Sequence, residues 1–327
     1  MVPFAYLAAP NLRSAISRAT RSSRAEFIAG GTDMLQLLQE RVRAPEELID
    51  LNGLPLSDIE ITADGIRIGA LARMAQVVSD SRVREQFPAV TQALLASASP
   101  QIRNMASIGG NLLQRTRCLY FRDVATPCNK REPGSGCSAL DGENRLNAIL
   151  GGSSQCIAAY PGDLAIALLA LDAKVEIAGQ SGQRVIPLDE LHRLPDDAPH
   201  VDTTLRPGDI ITAVSISTSD FARRSCFLKI RDRASFEWAL ASAAVALSMD
   251  HGKIRHARIA VGGVATKPWR LRHVEQALTD RELHADLFRR VAALAADGAQ
   301  PRTQNGFKAE LLKRVVERAL RQVGETA

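Results

Sequence analysis

The feature that most constrains this chain is a cysteine-rich segment that lies between two glycine-containing motifs. Four of the five cysteines fall within 39 residues, from Cys118 to Cys156. The same window contains several arginines and lysines, together with loop formers such as Pro133 and Gly134. Its apolar residues show too little periodicity to build a core of their own. Something other than its own packing must therefore hold the segment, and four thiolates on a metal centre are the first candidate.

The spacing of these cysteines separates the kinds of site they could form. Nine, eight and eighteen residues lie between successive cysteines, without the Cys-x-x-Cys pair that is typical of structural zinc. All six histidines lie at or after His192, so the window offers no mixed cysteine and histidine site. Disulfides would need an oxidising compartment. Four thiolates without histidine favour a cubane iron–sulfur cluster, while zinc, disulfides and inert thiols remain alternatives. The candidate ligands are Cys118, Cys128, Cys137 and Cys156.

The fifth cysteine and the overall composition point to an ordinary globular chain. Cys226 lies beside Phe227 in an apolar stretch and is predicted to be a buried structural thiol. The 327 residues are 46% hydrophobic and 24% charged, which suits one large domain or two to three smaller ones. The net charge is +5 and aromatic residues make up 4%, so a nucleic-acid surface of clustered cations and aromatics is not expected.

Two further classes of protein are excluded by the absence of long apolar runs. No run approaches the roughly 20 apolar residues that a membrane span needs. The first ten residues lack the basic start and the apolar run of a signal peptide. The sequence therefore predicts a cytoplasmic protein, or a periplasmic one if an exported partner carries it.

The first glycine motif has the arrangement of a phosphate-binding turn. A predicted strand at 26–29 is followed at once by Gly30-Gly31-Thr32-Asp33, and then by an amphipathic helix at 34–41. Adjacent glycines let the backbone approach an anion, and their N–H groups favour negative charge. The motif lacks the spacing of the common nucleotide-binding loops. A tight turn with a capping Thr32 or Asp33 is the alternative interpretation.

A second glycine motif lies just before the cysteine window. Residues 103–111 include Ser107, Gly109, Gly110 and Asn111, and we expect them to form a second glycine loop. Two such loops on one chain suit one extended ligand, such as a dinucleotide, held from two sides. The alternative is that they are two unrelated turns.

The remaining sequence predicts a mixture of strands and helices, with the main domain boundary near residue 220. The alanine-rich run at 238–249 is compatible with either a helix or a strand. Strands are expected at 4–7, 48–51, 59–61, 66–71, 174–178, 184–187, 210–216 and 253–261, with alternating polarity at 66–71, 174–178 and 253–261. Helices are expected at 11–20, 74–98, 164–173, about 270–296 and 306–323.

Five motifs in this order resemble the FAD-binding (medium) subunit of the molybdenum hydroxylases, which include xanthine dehydrogenases, aldehyde oxidoreductases and carbon monoxide dehydrogenases. The motifs are Phe27 to Asp33, Arg103 to Asn111, Gly162 to Leu164, Leu205 to Ile211 and Phe227 to Arg233. In most of that family the second glycine motif runs almost directly into the third, whereas here 51 residues separate Asn111 from Asp163. The insert is similar to that of the periplasmic heterotrimeric aldehyde oxidoreductases, which carries an extra [4Fe–4S] cluster on four cysteines.

The resemblance implies an α+β fold made of two domains. Residues 1–220 would form an FAD-binding domain of the PCMH type, with subdomains at about 1–55 and 56–220 and the iron–sulfur insert at about 112–160. Residues 221–327 would form a smaller C-terminal α+β domain.

The resemblance also implies the role of individual residues. The first glycine motif would wrap the FAD pyrophosphate, the second would contact it from the other side, and Asp163 would lie near the isoalloxazine or the ribityl chain. Ile211 and Lys229 would also line the site, although an exposed strand lysine is the alternative for Lys229. No catalytic acid or base is implied in this chain. The implied FAD residues are Phe27, Ile28, Ala29, Gly30, Gly31, Thr32, Asp33, Met34, Ser107, Gly109, Gly110, Asn111, Asp163, Ile211 and Lys229.

The implied function is electron transfer within a larger complex. A large partner subunit with the molybdenum cofactor would oxidise an aldehyde, and a small [2Fe–2S] subunit would pass the electrons to the FAD of this chain. The FAD would then deliver them to an external acceptor. The alternatives are the flavin subunit of a xanthine dehydrogenase or of a complex like 4-hydroxybenzoyl-CoA reductase, a free-standing flavoenzyme, and a zinc-braced scaffold without a redox role.

Overall fold

The computed structural model describes residues 2–325, and in this range the strands form three sheets within a mixed α+β fold. The first part of the chain contains β1 (Ala5–Ala8), α1 (Leu12–Arg21), β2 (Ala25–Ile28), α2 (Met34–Gln39) and β3 (Glu47–Asp50). The sheet has the order β1-β3-β2 and is parallel, because a helix follows each of the first two strands and returns the chain. Asn11 caps α1 by accepting a hydrogen bond from the Ser14 amide at 2.9 Å.

The second part of the chain forms an antiparallel sheet covered by short helices. Its elements are β4 (Ile59–Thr62), β5 (Gly65–Gly69), α3 (Met74–Ser79), α4 (Ser81–Gln86), α5 (Pro88–Ala96), α6 (Pro100–Met105), α7 (Ile108–Leu112), α8 (Leu119–Arg122), α9 (Leu164–Ala170), β6 (Lys174–Gly179), β7 (Gly182–Pro187) and β8 (Ile210–Ser217). The strand order is β4-β5-β8-β6-β7. In β6 the alternation of polarity predicted from sequence is confirmed, since Val175 and Ile177 are buried while Lys174 is exposed.

The third part of the chain is an antiparallel sheet with helices on one face. Its elements are α10 (Asp220–Arg223), β9 (Ser225–Ile230), β10 (Ala241–Asp250), β11 (Lys253–Gly262), β12 (Trp269–Arg270), α11 (Arg272–Leu278), α12 (Ala285–Ala293) and α13 (Phe307–Glu325). The strand order is β12-β11-β10-β9. Helix α9 packs against this sheet as well as against α5. All seven residues of α9 are buried, as expected for a helix that is apolar on every side.

The alanine-rich run left open by the sequence is the strand β10. Ala244 and Ala246 belong to the core that contains α9, whereas Ala243 and Val245 belong to the core that contains α13. A strand buried on both faces needs apolar side chains in both directions, which removes the usual alternation of polarity. The small alanine side chains therefore reflect close packing on two sides.

The prediction of one helix over 270–296 is wrong. Helix α11 ends at Leu278 and α12 begins at Ala285, because the intervening backbone bonds to the start of β11. The Asp280 amide donates to the Ile254 carbonyl at 2.8 Å, and the Ile254 amide donates to the Arg281 carbonyl at 2.9 Å. Asp280 has a φ of +61°, a left-handed conformation that ends a helix.

The cysteine-containing insert has little regular structure and is held by the third part of the chain. Its segment from Asn144 to Ala148 packs against the start of α13. Lys308 is fully buried, and its ammonium donates to the carbonyls of Leu146 and Asn147 at 3.0 Å and of Gly263 at 2.7 Å. Tertiary contacts thus hold the insert in place, because its own sequence cannot form a core. Among the described residues, no helix is both long enough and apolar enough to cross a membrane.

Candidate flavin site and cysteine segment

A cavity of about 930 Å³ lies between the first two parts of the chain and the insert. Its volume is within the range of small-molecule sites, roughly 300–1,000 Å³. Both glycine motifs contribute to its wall, as do residues from the insert and from the loop before β10. The residues predicted to bind FAD that line it are Phe27, Ile28, Ala29, Gly30, Gly31, Thr32, Asp33, Met34, Ser107, Gly109, Gly110, Asn111, Asp163 and Ile211.

The first glycine motif brings the two halves of the cavity wall together. A Cβ atom on Gly30 would lie 2.0 Å from the carbonyl oxygen of Met105, at the end of α6. Gly31 has a φ of +71°, which favours glycine, and α2 begins at Met34 shortly after it. Gly30 is therefore required for the contact between the two glycine motifs, and Gly31 for the turn.

The second glycine motif is a short helix and not the loop predicted from sequence. Ser107 caps α7 by accepting a hydrogen bond from the Gly110 amide at 3.3 Å, so both glycines fall in the first turn. A Cβ atom on Gly109 would lie 2.9 Å from Cβ of Ala70. Gly110 is exposed, and a Cβ atom there would meet only the Ser107 hydroxyl within 4 Å. Gly109 thus serves packing, whereas a Cβ atom on Gly110 would be 2.9 Å from the Ser107 hydroxyl and would meet no other group within 4 Å.

We predict that Gly110→Ala weakens FAD binding by about 1–3 kcal/mol, the usual cost of an added methyl group in a filled site. The fold should persist, because the Ser107 hydroxyl is the one group within 4 Å of the new methyl group in the described structure, so at most the cap of α7 has to adjust. Fluorescence titration of the flavin and thermal unfolding measure the two effects. Gly53→Ala is the matched control, since a Cβ atom there has no neighbour within 4 Å in the described structure. An unchanged FAD affinity for Gly110→Ala would contradict this placement of the ligand.

The side chain of Asn111 has an unpaired polar atom that a ligand could satisfy. Its amide nitrogen contacts the sulfur of Met74 at 3.5 Å. Its Oδ1 is buried and has no hydrogen-bond partner within residues 2–325. Buried polar atoms are rarely left unpaired, so a donor from a bound molecule fits this position.

Asp163, in the cavity wall, forms a buried ion pair with Lys229. Lys229 Nζ donates to Asp163 Oδ2 at 2.7 Å, and both side chains are almost fully buried. The Ser97 hydroxyl lies 2.9 Å from the same oxygen. Burial raises the pKa of the Asp163 carboxyl despite the nearby charge of Lys229. Lys229 does not line the cavity, so its link to the cavity wall is its contact with Asp163.

Asp33 connects the first glycine motif to the insert. Its carboxylate accepts from the Arg115 amide at 2.8 Å, from Arg117 Nη1 at 2.7 Å and from Arg122 Nη2 at 2.9 Å. Burial opposes ionisation, but the charges and hydrogen bonds of these arginines outweigh it and hold the pKa of the Asp33 carboxyl below its ordinary value. The side chain predicted to contact FAD is therefore occupied by three donors from the insert.

The lowered pKa of Asp33 predicts that its contacts with the arginines of the insert stabilise the fold less in acid. In the unfolded chain this carboxyl titrates near pH 4, and in the folded chain it titrates lower. Its stabilising contribution is therefore complete above about pH 4 and is lost as the pH falls through the folded pKa. Asp33→Asn should lower the free energy of unfolding at pH 7 and remove part of its decline in acid. Denaturant unfolding from pH 3 to pH 7 measures this, and parallel curves for the two proteins would contradict it.

Two of the four clustered cysteine sulfurs have an amide group within hydrogen-bonding distance. The Cys118 sulfur lies 3.5 Å from Asn147 Nδ2, and the Cys156 sulfur lies 3.4 Å from the Ala158 amide. Burial raises the pKa of the Cys137 thiol, and nearby backbone amides oppose that rise. Hydrogen bonds of this kind are typical around cluster-bound sulfurs.

The same segment does not contain an assembled metal site. Cys128 faces Cys137 across an isolated β-bridge, and all five cysteines are free thiols. Burial raises the pKa of Cys156 to about 12, and the neighbouring thiols of Cys137 and Cys118 contribute to the rise. In the described part of the chain, no three metal-binding side chains are grouped so that they could hold an ion. The donor chemistry therefore fits a cluster, but the four sulfurs are not drawn into one coordination sphere.

Several cavity residues were not found from the sequence. Tyr160 and His192 pack edge to face with ring centroids 4.7 Å apart, and both bond to the Leu112 carbonyl. Burial lowers the pKa of His192 to about 4, so the imidazole is neutral at pH 7. Arg117 and Trp238 also line the cavity. The cations of the insert were visible in the sequence, but nothing local indicated which of them face the cavity.

Comparison with known proteins defines the class to which this fold and cavity belong. Residues 2–218 match the family described as the FAD binding domain in molybdopterin dehydrogenase. Residues 226–323 match the CO dehydrogenase flavoprotein C-terminal domain. The chain belongs to the FAD-binding medium subunits of the molybdenum hydroxylases, and is therefore an oxidoreductase subunit.

The similarity of this chain to individual members of the family differs from one branch to another. The chain is 42% identical over 324 residues to the aldehyde oxidoreductase FAD-binding subunit PaoB of Escherichia coli K12, with 98% of both chains covered. It is 25% identical over 330 residues to the xanthine dehydrogenase FAD-binding subunit of Escherichia coli O157:H7, with 98% and 97% covered. The structure of reconstituted CO dehydrogenase from Oligotropha carboxidovorans has the same fold, with a TM-score of 0.77, 21% identity and full coverage of both chains.

Proposed function

We propose that this chain is the FAD- and [4Fe–4S]-carrying electron-transfer subunit of a molybdenum-dependent aldehyde oxidoreductase. The observation that carries the proposal is the 42% identity over 98% of both chains with an aldehyde oxidoreductase FAD-binding subunit. The identity to a xanthine dehydrogenase subunit is 25% over a similar length. The aldehyde branch is therefore the better supported of the two.

The FAD would occupy the cavity between the two glycine motifs. The exposure of Gly110 in the cavity wall, the orphaned Oδ1 of Asn111 and the cavity volume of about 930 Å³ support this placement. When bound, FAD supplies the ability to accept electrons singly and release them in pairs. The chain would bind and orient the cofactor, with Asp163 of the cavity wall held by Lys229. No residue of this chain is assigned as a catalytic acid or base.

The [4Fe–4S] cluster would be held by Cys118, Cys128, Cys137 and Cys156. Support comes from the four-thiolate composition without histidine and from the amide donors at two of the sulfurs. Because the sulfurs are not grouped around a metal position in residues 2–325, the proposal requires the insert to close around the cluster when it forms. Metal binding that is coupled to local folding is common in small cysteine sites.

The proposed partners follow from the assignment to the aldehyde branch. A large subunit with the molybdenum cofactor would oxidise the substrate, and a small [2Fe–2S] subunit would deliver electrons to this chain. An external acceptor would then receive them. We further propose a division into an FAD-binding domain at 1–220 and a C-terminal domain at 221–327, in keeping with family matches that end at residue 218 and begin at residue 226.

Anaerobic reduction of the assembled complex tests this function. An aliphatic or aromatic aldehyde should bleach the flavin absorption, whereas xanthine should leave it unchanged. Bleaching by xanthine alone would move the chain to the purine-oxidising branch. If the cluster relays electrons, Cys128→Ser should slow flavin reduction by aldehyde. Full flavin reduction in that variant would restrict the cluster to a structural role.

A further inference from the structure

Arg117 reaches from the insert into the cavity and is fixed there on two sides. Its Nη1 lies 2.7 Å from Asp33 Oδ1 and 3.2 Å from Gln36 Oε1. The centre of its guanidinium group lies 4.4 Å from the centroid of the Trp238 ring, a cation–π arrangement. Both Arg117 and Trp238 line the cavity. The guanidinium group therefore has a defined position beside the first glycine motif.

One donor of this group is left without a protein partner. Arg117 Nε is buried, and nothing in residues 2–325 accepts a hydrogen bond from it. An arginine has no acceptor of its own and cannot lose its proton, so the unpaired donor carries a desolvation cost. A buried, unpaired cationic donor in a cavity wall is satisfied when a ligand supplies an anionic acceptor.

The charges around Arg117 leave an excess of positive charge on the insert. Arg117 and Arg122 share Asp33, and Arg122 also pairs with Glu40 at 3.1 Å. Arg115 Nε lies 2.8 Å from Asp202 Oδ2, and Lys130 pairs with the same carboxylate. In this set, four cations face three carboxylates. The set is anchored directly to Asp33 in the first glycine motif.

We propose that Arg117, assisted by Arg115, binds the diphosphate of the FAD, so that the insert forms part of the flavin site. This inference rests on the proposed position of FAD in the cavity. The negative charge of FAD is concentrated on its two phosphates, and the arginines lie beside the motif whose glycines allow close approach of an anion. The insert then has a second role besides carrying cysteines. FAD affinity depends on the position of the insert, and by thermodynamic linkage bound FAD stabilises that position in return.

The test compares ligands with and without the diphosphate on the full chain. Dissociation constants of FAD and of riboflavin, which has no phosphate, are measured by fluorescence for the wild type and for Arg117→Met. We expect the variant to bind FAD at least about tenfold more weakly and riboflavin equally well, because one charge-assisted hydrogen bond to the diphosphate is lost. Arg117→Lys, which keeps the charge, should recover part of the FAD affinity. Arg145→Met is the matched control, since Arg145 pairs with Asp232 outside the cavity.

Each other outcome overturns the inference. Equal losses for FAD and riboflavin would mean that Arg117 shapes the cavity without contacting the diphosphate. Unchanged FAD affinity in Arg117→Met would mean that Arg117 neither contacts the diphosphate nor shapes the cavity. The wild-type chain gives an independent readout, since its FAD affinity should fall with added salt much more than its riboflavin affinity. Similar salt dependence for the two ligands overturns the inference even if the variant does not fold. A wild type that binds neither ligand contradicts the proposed FAD site itself.

Discussion

Replacing Cys156 with serine is expected to reduce the iron content of the purified chain from about four atoms to almost none. A cubane cluster needs four thiolates, and a serine hydroxyl is not ionised at neutral pH. The variant also loses the sulfur that accepts from the Ala158 amide. Colorimetric iron and acid-labile sulfide assays on anaerobically purified protein measure the effect. Without its cluster, the insert should also become more sensitive to proteolysis.

Cys226 offers a closely matched control for this experiment. Both cysteines are buried, and burial raises the pKa of each thiol to about 12. Cys226 lies in β9, with its sulfur 3.5 Å from the carbonyl of Ala319 in α13. Cys226→Ser should therefore keep its iron. Iron retained in Cys156→Ser, or lost equally in both variants, would show that the clustered cysteines do not hold a cluster.

Replacing Lys229 with methionine is expected to lower the free energy of unfolding by about 3–5 kcal/mol, with loss of flavin. The substitution leaves the Asp163 carboxylate buried without its cationic partner. Burial already raises the pKa of this carboxyl, and protonation would remove the unpaired charge. The penalty should therefore shrink as the pH falls. Denaturant unfolding followed by circular dichroism, with flavin quantified in parallel, measures both effects.

A second substitution separates the ion pair from simple packing. Asp163→Asn combined with Lys229→Met removes both charges, and should recover part of the lost stability. Lys267→Met is the control, because the Lys267–Asp189 pair is partly exposed and such pairs contribute at most about 1 kcal/mol. If Lys229→Met costs no more than Lys267→Met, the buried pair is not a stabilising element of the cavity.

The regular elements of this fold were largely predictable from local patterns. Alternating polarity indicated strands such as β6, and the apolar run from Leu164 indicated the helix α9. The α+β fold implied by the five motifs is confirmed by the sheets and by the related structures. Local patterns failed where tertiary contacts decide the conformation. Burial on both faces made β10 a strand, and bonding to Ile254 interrupted the helix predicted over 270–296.

The sequence indicated several residues of the cavity wall, but not which side chains form hydrogen bonds and ion pairs with one another. The two glycine motifs and Asp163 line one cavity, and their contact with FAD stays a prediction. The partners of Asp33 lie 82 to 89 residues away in sequence, so no local spacing could associate Asp33 with Arg122 or Arg115. The same is true of Lys308, which anchors the insert through carbonyls up to 162 residues distant. These contacts depend on how three separate parts of the chain come together.

The measurement that tests the central claim most directly is the absorption spectrum of the anaerobically purified chain, combined with iron and acid-labile sulfide analysis. A subunit that carries FAD and a [4Fe–4S] cluster should show flavin bands together with about four irons and four sulfides per chain. Flavin bands without iron would contradict the cluster and return the cysteines to zinc, disulfides or free thiols. A colourless protein would contradict the assignment of this chain as a flavin- and cluster-carrying electron-transfer subunit.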